Sequence, residues 1–426
     1  MSNISKFTTT DVVDSVMGSG KSTATIDYIK NSDNPVLLIV EYDTEVDRFL
    51  NAIPEIVSPK QDNGYLSRYD SLVNMLESGE SIVSTHQLFS KWDDKVLHLI
   101  KANGYELIMD EVLSGVLSQV PIDSQDIVNL IEDDYMVQEF GSDIPKLKPT
   151  GKPFYKEYSR IEQKLRNKDI YLSVERDAVN KKLYIFEAPS AKIFEAFHKI
   201  TILTYLFDGS LLSNYFDLHD VEYELKSVVS GEMTDYQGAS GEQFKDLITI
   251  YNGKHNEIGR GRYALSLRWY ERGNNPKVAS KAVRSVFNNF KVERNLFAWS
   301  VHKDVIDKVA HSDFHSKRSF ARYDSKQIPY SDDITFISQT TRASNQYKNK
   351  AVMAYCSNTF MRPVLRNFLT DNGVDVQEDK FALSQLIQWI WRSRIRNGEP
   401  IAIYIPSKRM RQLLMAWLGY DKNEMF

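Results

Sequence analysis

The chain has a single cysteine, Cys356, in 426 residues. That excludes an internal disulfide framework and a cysteine-based zinc site, and it fits a reducing, cytoplasmic setting. No apolar run approaches the length needed to span a bilayer, so no membrane partner is expected. The N-terminus is polar and lacks a signal-peptide pattern. Repeats at a solenoid period and low-complexity segments are absent as well. There is no excess of positive charge: 53 Lys and Arg stand against 57 Asp and Glu, a formal net charge of −4. The chain as a whole is not a polycation, so any nucleic-acid surface must be local. What remains is ordinary globular material, 42% hydrophobic and 26% charged, long enough for roughly two or three domains.

Residues 11–23 read Asp-Val-Val-Asp-Ser-Val-Met-Gly-Ser-Gly-Lys-Ser-Thr. A short β-branched run feeds a glycine turn and then a helix-compatible segment from Ala24 to Lys30. Anion binding needs this order, because backbone N–H groups at a helix start point at phosphates. Gly18 and Gly20 can take positive φ and let the backbone come close. Met17, Gly18, Ser19, Gly20, Lys21, Ser22 and Thr23 are therefore the candidate nucleotide-binding residues. Lys21 would reach the β- and γ-phosphates, and the Ser22 hydroxyl would ligate Mg²⁺. The general phosphate-loop pattern asks for glycine at position 15; this chain has Ser15, another small residue.

Downstream, Val36–Val40 is a continuous apolar run of strand length, as a parallel strand buried on both faces requires. Further short strands, Ser81–Thr85 and Tyr105–Glu111, alternate with helical patterns, which argues for a doubly wound α/β domain. The second of these ends in Asp110-Glu111. Ligands bind at this edge of open α/β sheets. Asp110 is placed to hold Mg²⁺ and Glu111 to polarise an attacking water.

Residues 119–190 are different material. Acids crowd between Gln119 and Ile144, and basic residues follow from Lys146 to Lys182, interleaved with Phe154, Tyr155, Tyr158 and Tyr171. Basic and aromatic residues together serve single-strand binding; a solvated helical hairpin with tyrosines packed beneath it fits the same pattern. Strand-like runs recur at 295–300, 334–338, 351–355 and 401–405, so a second α/β domain is expected. Leu383–Arg396 reads as a helix on which Arg392 and Arg396 share a face. Arginines so placed stabilise charge on a transferring phosphoryl group.

The order of these elements resembles a superfamily 2 helicase, most like the small phage-encoded members. The run Val16–Ser22 is also similar to the phosphate loop of herpesvirus origin-binding helicases, which use Met-Gly-Ser-Gly-Lys. By this resemblance Ser15–Thr23 is motif I, Glu41–Arg48 sits where motif Ia falls, and Ser84-Thr85-His86 lies near motif Ib. Asp110-Glu111-Val112-Leu113 is motif II, and Leu203-Thr204-Tyr205 stands for motif III. Ser338–Asn345 and Gln388 with Arg392 and Arg396 are candidates for motifs V and VI. The long gap between motifs II and III marks 119–190 as an insertion. The four-residue arginine spacing leaves open which of Arg392, Arg394 and Arg396 meets the γ-phosphate.

The resemblance implies two RecA-like P-loop NTPase domains with parallel sheets, residues 1–215 and 216–426. The insertion at about 119–190 is expected to be mostly helical. It implies ATP and Mg²⁺ as cofactors and catalytic roles for Lys21, Glu111, Arg392 and Arg396. Thr85, His86, Thr204, Tyr205, Thr341 and Arg342 would line a nucleic-acid track. The expected partner is single-stranded or forked DNA, with a replication protein as a further one and a monomer or small oligomer as the working form. The expected activity is ATP-driven movement on single-stranded DNA; an ATP-gated binding switch without processive unwinding is the alternative.

Overall fold

The computed structural model describes residues 9–61, 67–113, 115–139, 143–176, 181–311, 335–339 and 345–426. Two compact units form: Met1–Gly238 with Arg362–Val376, and Ala239–Met361 with Gln377–Phe426.

In the first unit the chain lays down β1 (Thr9–Asp14), β2 (Val36–Val40), β3 (Ile82–Thr85) and β4 (Glu106–Asp110). Five strands of the insertion follow: β5 (Ser118–Gln119), β6 (Met136–Gln138), β7 (Lys146–Pro149), β8 (Lys168–Arg176) and β9 (Lys181–Pro189). Then come β10 (Lys199–Thr204), β11 (Glu224–Val229) and β12 (Glu232–Asp235). Among the described residues the main sheet has the order β12-β11-β1-β10-β4-β2-β3. Every pairing is parallel except the β11–β12 hairpin. All five residues of β2 are buried, as a central parallel strand flanked by layers on both faces demands. Helices α1 (Lys21–Asn31) and α2 (Asp43–Ala52) follow β1 and β2, and Ile29, Val46 and Phe49 pack into the core with Val13, Leu38 and Ile108. The register sets Asp14 beside Thr204 and Leu203 beside Asp110, so β1, β10 and β4 end along one edge.

The insertion corrects an expectation. It is an antiparallel sheet of order β5-β9-β8-β7-β6, with helices at Ser124–Glu132 and Ser159–Leu165, rather than mostly helical. The two long strands read Lys-Asp-Ile-Tyr-Leu-Ser-Val-Glu-Arg and Lys-Lys-Leu-Tyr-Ile-Phe-Glu-Ala-Pro. Both contain unbroken β-branched, aromatic and leucine runs, Ile170–Leu172 and Leu183–Phe186, and that strand signal outweighs the charge pattern. Phe154, Ile170 and Ile185 lie in its core with Ile127 and Leu130, while Tyr171 is fully buried, so Phe154 and Tyr171 are packing residues. The acidic and basic halves meet each other: Lys152 donates to the Asp133 carbonyl at 2.9 Å and the Tyr158 hydroxyl to Asp126 at 2.6 Å. The helix Pro363–Asp371, from far along the chain, joins this unit. Its Phe368 ring lies 5.8 Å from Tyr171 and 5.2 Å from Phe186.

The second unit contains a parallel sheet of order β13-β16-β15-β14, from Ile248–Ile250, Ile401–Tyr404, Val352–Tyr355 and Phe297–Ser300. Trp299, Tyr404 and Val283 sit in its core. Two α/β units with parallel sheets are thus what the sequence led us to expect. Of the expected strand at 334–338, the described residues contribute a single parallel bridge, between Phe336 and Trp299.

His219 connects insertion and main sheet chemistry. Its Nε2 lies 2.7 Å from the Tyr171 hydroxyl. Burial pushes its pKa down to about 4; Lys146 adds to the effect, and Asp169 and Asp220 oppose it. The native imidazole therefore stays neutral while the unfolded one, with a pKa near 6.5, binds a proton. Stability from this residue is complete above pH 6.5 and is lost as pH falls towards 4. In urea titrations across that window, wild type should lose up to about 3 kcal/mol more than His219→Gln.

Candidate nucleotide site

Between β1 and α1 the chain turns through Gly18 at φ +88° and Gly20 at φ +97°, the left-handed region that glycine tolerates. Helix α1 opens at Lys21 directly after Gly20, so its first N–H groups face out of the helix end. The Lys21 ammonium is buried. It donates to the Ser15 carbonyl and, at 3.3 Å, to that of Val16. Burial lowers its pKa, and Glu111, Asp110 and Asp14 act in the opposite direction.

The β11–β12 hairpin closes over this loop. Its turn residues Ser230 and Gly231 have φ of 54° and 88°, as a two-residue type I′ turn requires. A Cβ on Gly20 would lie 3.1 Å from the Gly231 nitrogen. Ser15, the departure from the glycine pattern, has a task that glycine could not perform: its Oγ accepts the Val228 N–H at 2.7 Å.

From the neighbouring strand end, β4 delivers Asp110 and then Glu111. Glu111 has φ +76°, a conformation that costs a non-glycine residue roughly 1 kcal/mol or more and that clusters at functional sites. Its N–H is held by the Leu203 carbonyl at 2.9 Å. Asp110 is desolvated, which raises its pKa, against Arg48 and Lys21. The Arg48 Nη2, from α2, lies 3.3 Å from Asp110 Oδ2 and 3.3 Å from Ser22 Oγ. Ser22 and Asp110, expected as the Mg²⁺ ligands, are therefore brought together about a positive charge. Hard oxygen donors gathered around one cation fit a magnesium site completed by phosphate oxygens. Among the described residues no group of three or more His, Cys, Asp or Glu side chains could hold a metal without such help.

The other sequence candidates lie at strand ends of the first unit or in the second unit. Thr85 and His86 stand at the end of β3, and Thr204 and Tyr205 at the end of β10; all four are buried. Thr341 and Arg342 lie outside the described residues. The expected helix through Arg396 stops at Ile390. Ser393 is extended, and its Oγ caps a short 3₁₀ turn, Arg394–Asn397, which Gly398 ends at φ +75°. Arg392 and Arg396 thus do not share a helix face. Arg392 is buried, and its Nη1 donates to the carbonyls of Ser338 at 3.2 Å and Gln339 at 3.4 Å; Arg396 is exposed.

Two residues carry the site without having been assigned a role from the sequence. Arg48 lay at the end of the segment matched to motif Ia. Asp14 closes β1, and its carboxylate accepts the N–H groups of Leu206 at 2.7 Å and Phe207 at 3.1 Å. A carboxylate ending an apolar strand needs such partners, which was the available signal.

With this geometry in view, the comparisons define the class. Across nearly its whole length the chain is similar to solved structures of S. tokodaii Xpd4 and of an apo XPD. The first has a TM-score of 0.54 at 12% identity, covering 98% of this chain and 95% of that one. The second has a TM-score of 0.52 at 10% identity, covering 99% and 97%. These likenesses show the fold alone: two α/β units with parallel sheets, shared across nearly the whole chain. The SPbeta prophage-derived uncharacterized protein YonV of Bacillus subtilis (strain 168) is 30% identical over 425 residues, 96% of this chain and 98% of the relative. Residues 242–418 match a family described as the YonV C-terminal Rossmann-like domain. The chain belongs to the YonV family.

The Gly20–Gly231 approach is testable by itself. Gly20→Ala should cost about 1–3 kcal/mol of unfolding free energy, since it adds both strain and a backbone clash. Gly79→Ala, at φ +68° with nothing near the added carbon, carries strain alone and should cost less. Denaturant titration of both variants measures the difference.

Proposed function

We propose that the chain is an ATP hydrolase that moves on nucleic acid, with single-stranded or forked DNA as its track. Its setting is phage DNA replication or recombination in the host cytoplasm. The observation that carries this reading is the meeting of Lys21, Ser22, Asp110 and Glu111 at one edge of a parallel sheet. The helicase-like fold and the prophage relative support it.

In this reading the α1 start and Lys21 bind the nucleotide's phosphates. Ser22 and Asp110 would hold Mg²⁺, which when bound neutralises charge on the phosphates. Glu111 orients the attacking water and accepts its proton. The exposed Arg396 is assigned to transition-state charge ahead of Arg392, whose guanidinium is committed to main-chain carbonyls.

Steady-state ATP hydrolysis with no nucleic acid, with single-stranded DNA and with RNA tests the proposal. Wild type should be stimulated by DNA. Lys21→Ala and Glu111→Gln should each lose about 100-fold or more in turnover, and Glu111→Gln should still bind ATP. If wild type binds ATP and stays at background with every nucleic acid, the ATP-gated binding switch replaces the motor.

A further inference from the structure

We propose that Arg48 is the resident cation of the nucleotide site. It occupies the place between Ser22 and Asp110 that a metal would take, and it withdraws when a metal-bound nucleotide enters. The inference rests on the nucleotide-binding reading above and adds a competition to it.

One guanidinium nitrogen lies 3.3 Å from both Asp110 Oδ2 and Ser22 Oγ. Those two oxygens are the ligands that the sequence and the sheet edge assign to Mg²⁺. A guanidinium and a divalent ion cannot both sit on them, because like charges at such a distance repel strongly in a desolvated site. Occupation is therefore exclusive. Asp110 is the more sheltered partner, at 13% side-chain exposure, whereas Arg48 is at 47%. The half-exposed arginine can swing to water at little cost; the carboxylate cannot leave. Glu45, one turn before Arg48 on α2, also lies near Asp110, and burial, together with Asp110, raises its pKa while Arg48 lowers it. Removing Arg48 without a replacement cation would leave these carboxylates facing each other. A guanidinium is also a forked phosphate donor. Arg48 therefore offers metal-free nucleotide a positive partner, and it weakens the site's demand for metal.

The test titrates a fluorescent ATP analogue into the full chain, in EDTA and across a Mg²⁺ series, for wild type, Arg48→Ala and Arg48→Lys. Arg48→Ala should bind the metal-free analogue about tenfold more weakly than wild type, and its Mg²⁺ midpoint should fall about tenfold, since no cation competes. Arg48→Lys keeps charge but not the fork, and should fall between the two. Thermal unfolding checks that each variant is folded; if Arg48→Ala is not, Arg48→Lys alone still has to shift the midpoint. Superimposable Mg²⁺ curves for all folded proteins would overturn the competition while leaving nucleotide binding intact. Failure of wild type to bind the analogue at any Mg²⁺ concentration would instead overturn the nucleotide reading, and this inference with it.

Discussion

An ammonium group taken almost out of water has to be answered by oxygen atoms, and the first unit is arranged around that requirement at Lys21. The carbonyls of Ser15 and Val16 answer it directly, and Asp14, Asp110 and Glu111 answer it through their charge. Each answer creates a further need. Buried Asp14 takes two N–H groups from the loop after β10, which ties that loop to the end of β1. Asp110 takes Arg48 from α2. A single desolvated charge thus couples the ends of β1, β4 and β10 with a helix that follows a fourth strand.

The hairpin after the parallel core strands adds a second layer of dependence. Its turn lies this close because Gly20 has no side chain at the contact: a Cβ there would lie 3.1 Å from the Gly231 nitrogen. Ser15 then fastens it from below through Val228. The phosphate loop is consequently shaped from two sides: by the lysine folded within it and by a strand pair more than two hundred positions later in the chain.

What was legible in the sequence was local chemistry. The loop from Val16 to Thr23 announces itself because glycine conformations and a helix start are fixed within a few residues. The run Val36–Val40 announces a buried strand, and Asp110-Glu111 ends an apolar one. What was not legible depended on distance. Arg48 looks like any helix-surface arginine until the sheet brings Asp110 to it. In the insertion, charge density masked the strands, whose apolar residues run consecutively because both faces are covered: Ile170 and Ile185 meet the insertion core, Tyr171 and Phe186 meet Phe368. The helix through Arg396 failed for a different reason: apolar periodicity continues through Trp391 and Ile395, yet Ser393 is extended and caps a new turn. The fold class survived these errors because it follows from the order of strands and helices, whereas the arginine geometry follows from one backbone angle.

The helix carrying Phe368 has a consequence for how the molecule is made. It lies within the stretch that matches the C-terminal family domain, yet it packs on Tyr171 and Phe186 of the first unit. The chain therefore crosses between the units at 238/239, 361/362 and 376/377. During synthesis the insertion sheet must wait for residues up to Val376 before its aromatic face is covered. The usual order, in which an N-terminal domain finishes folding before the next begins, is unavailable to this protein. The second unit is well under way on the ribosome while the first is still incomplete, and an N-terminal fragment cut at Gly238 would leave Tyr171 and Phe186 without their covering helix.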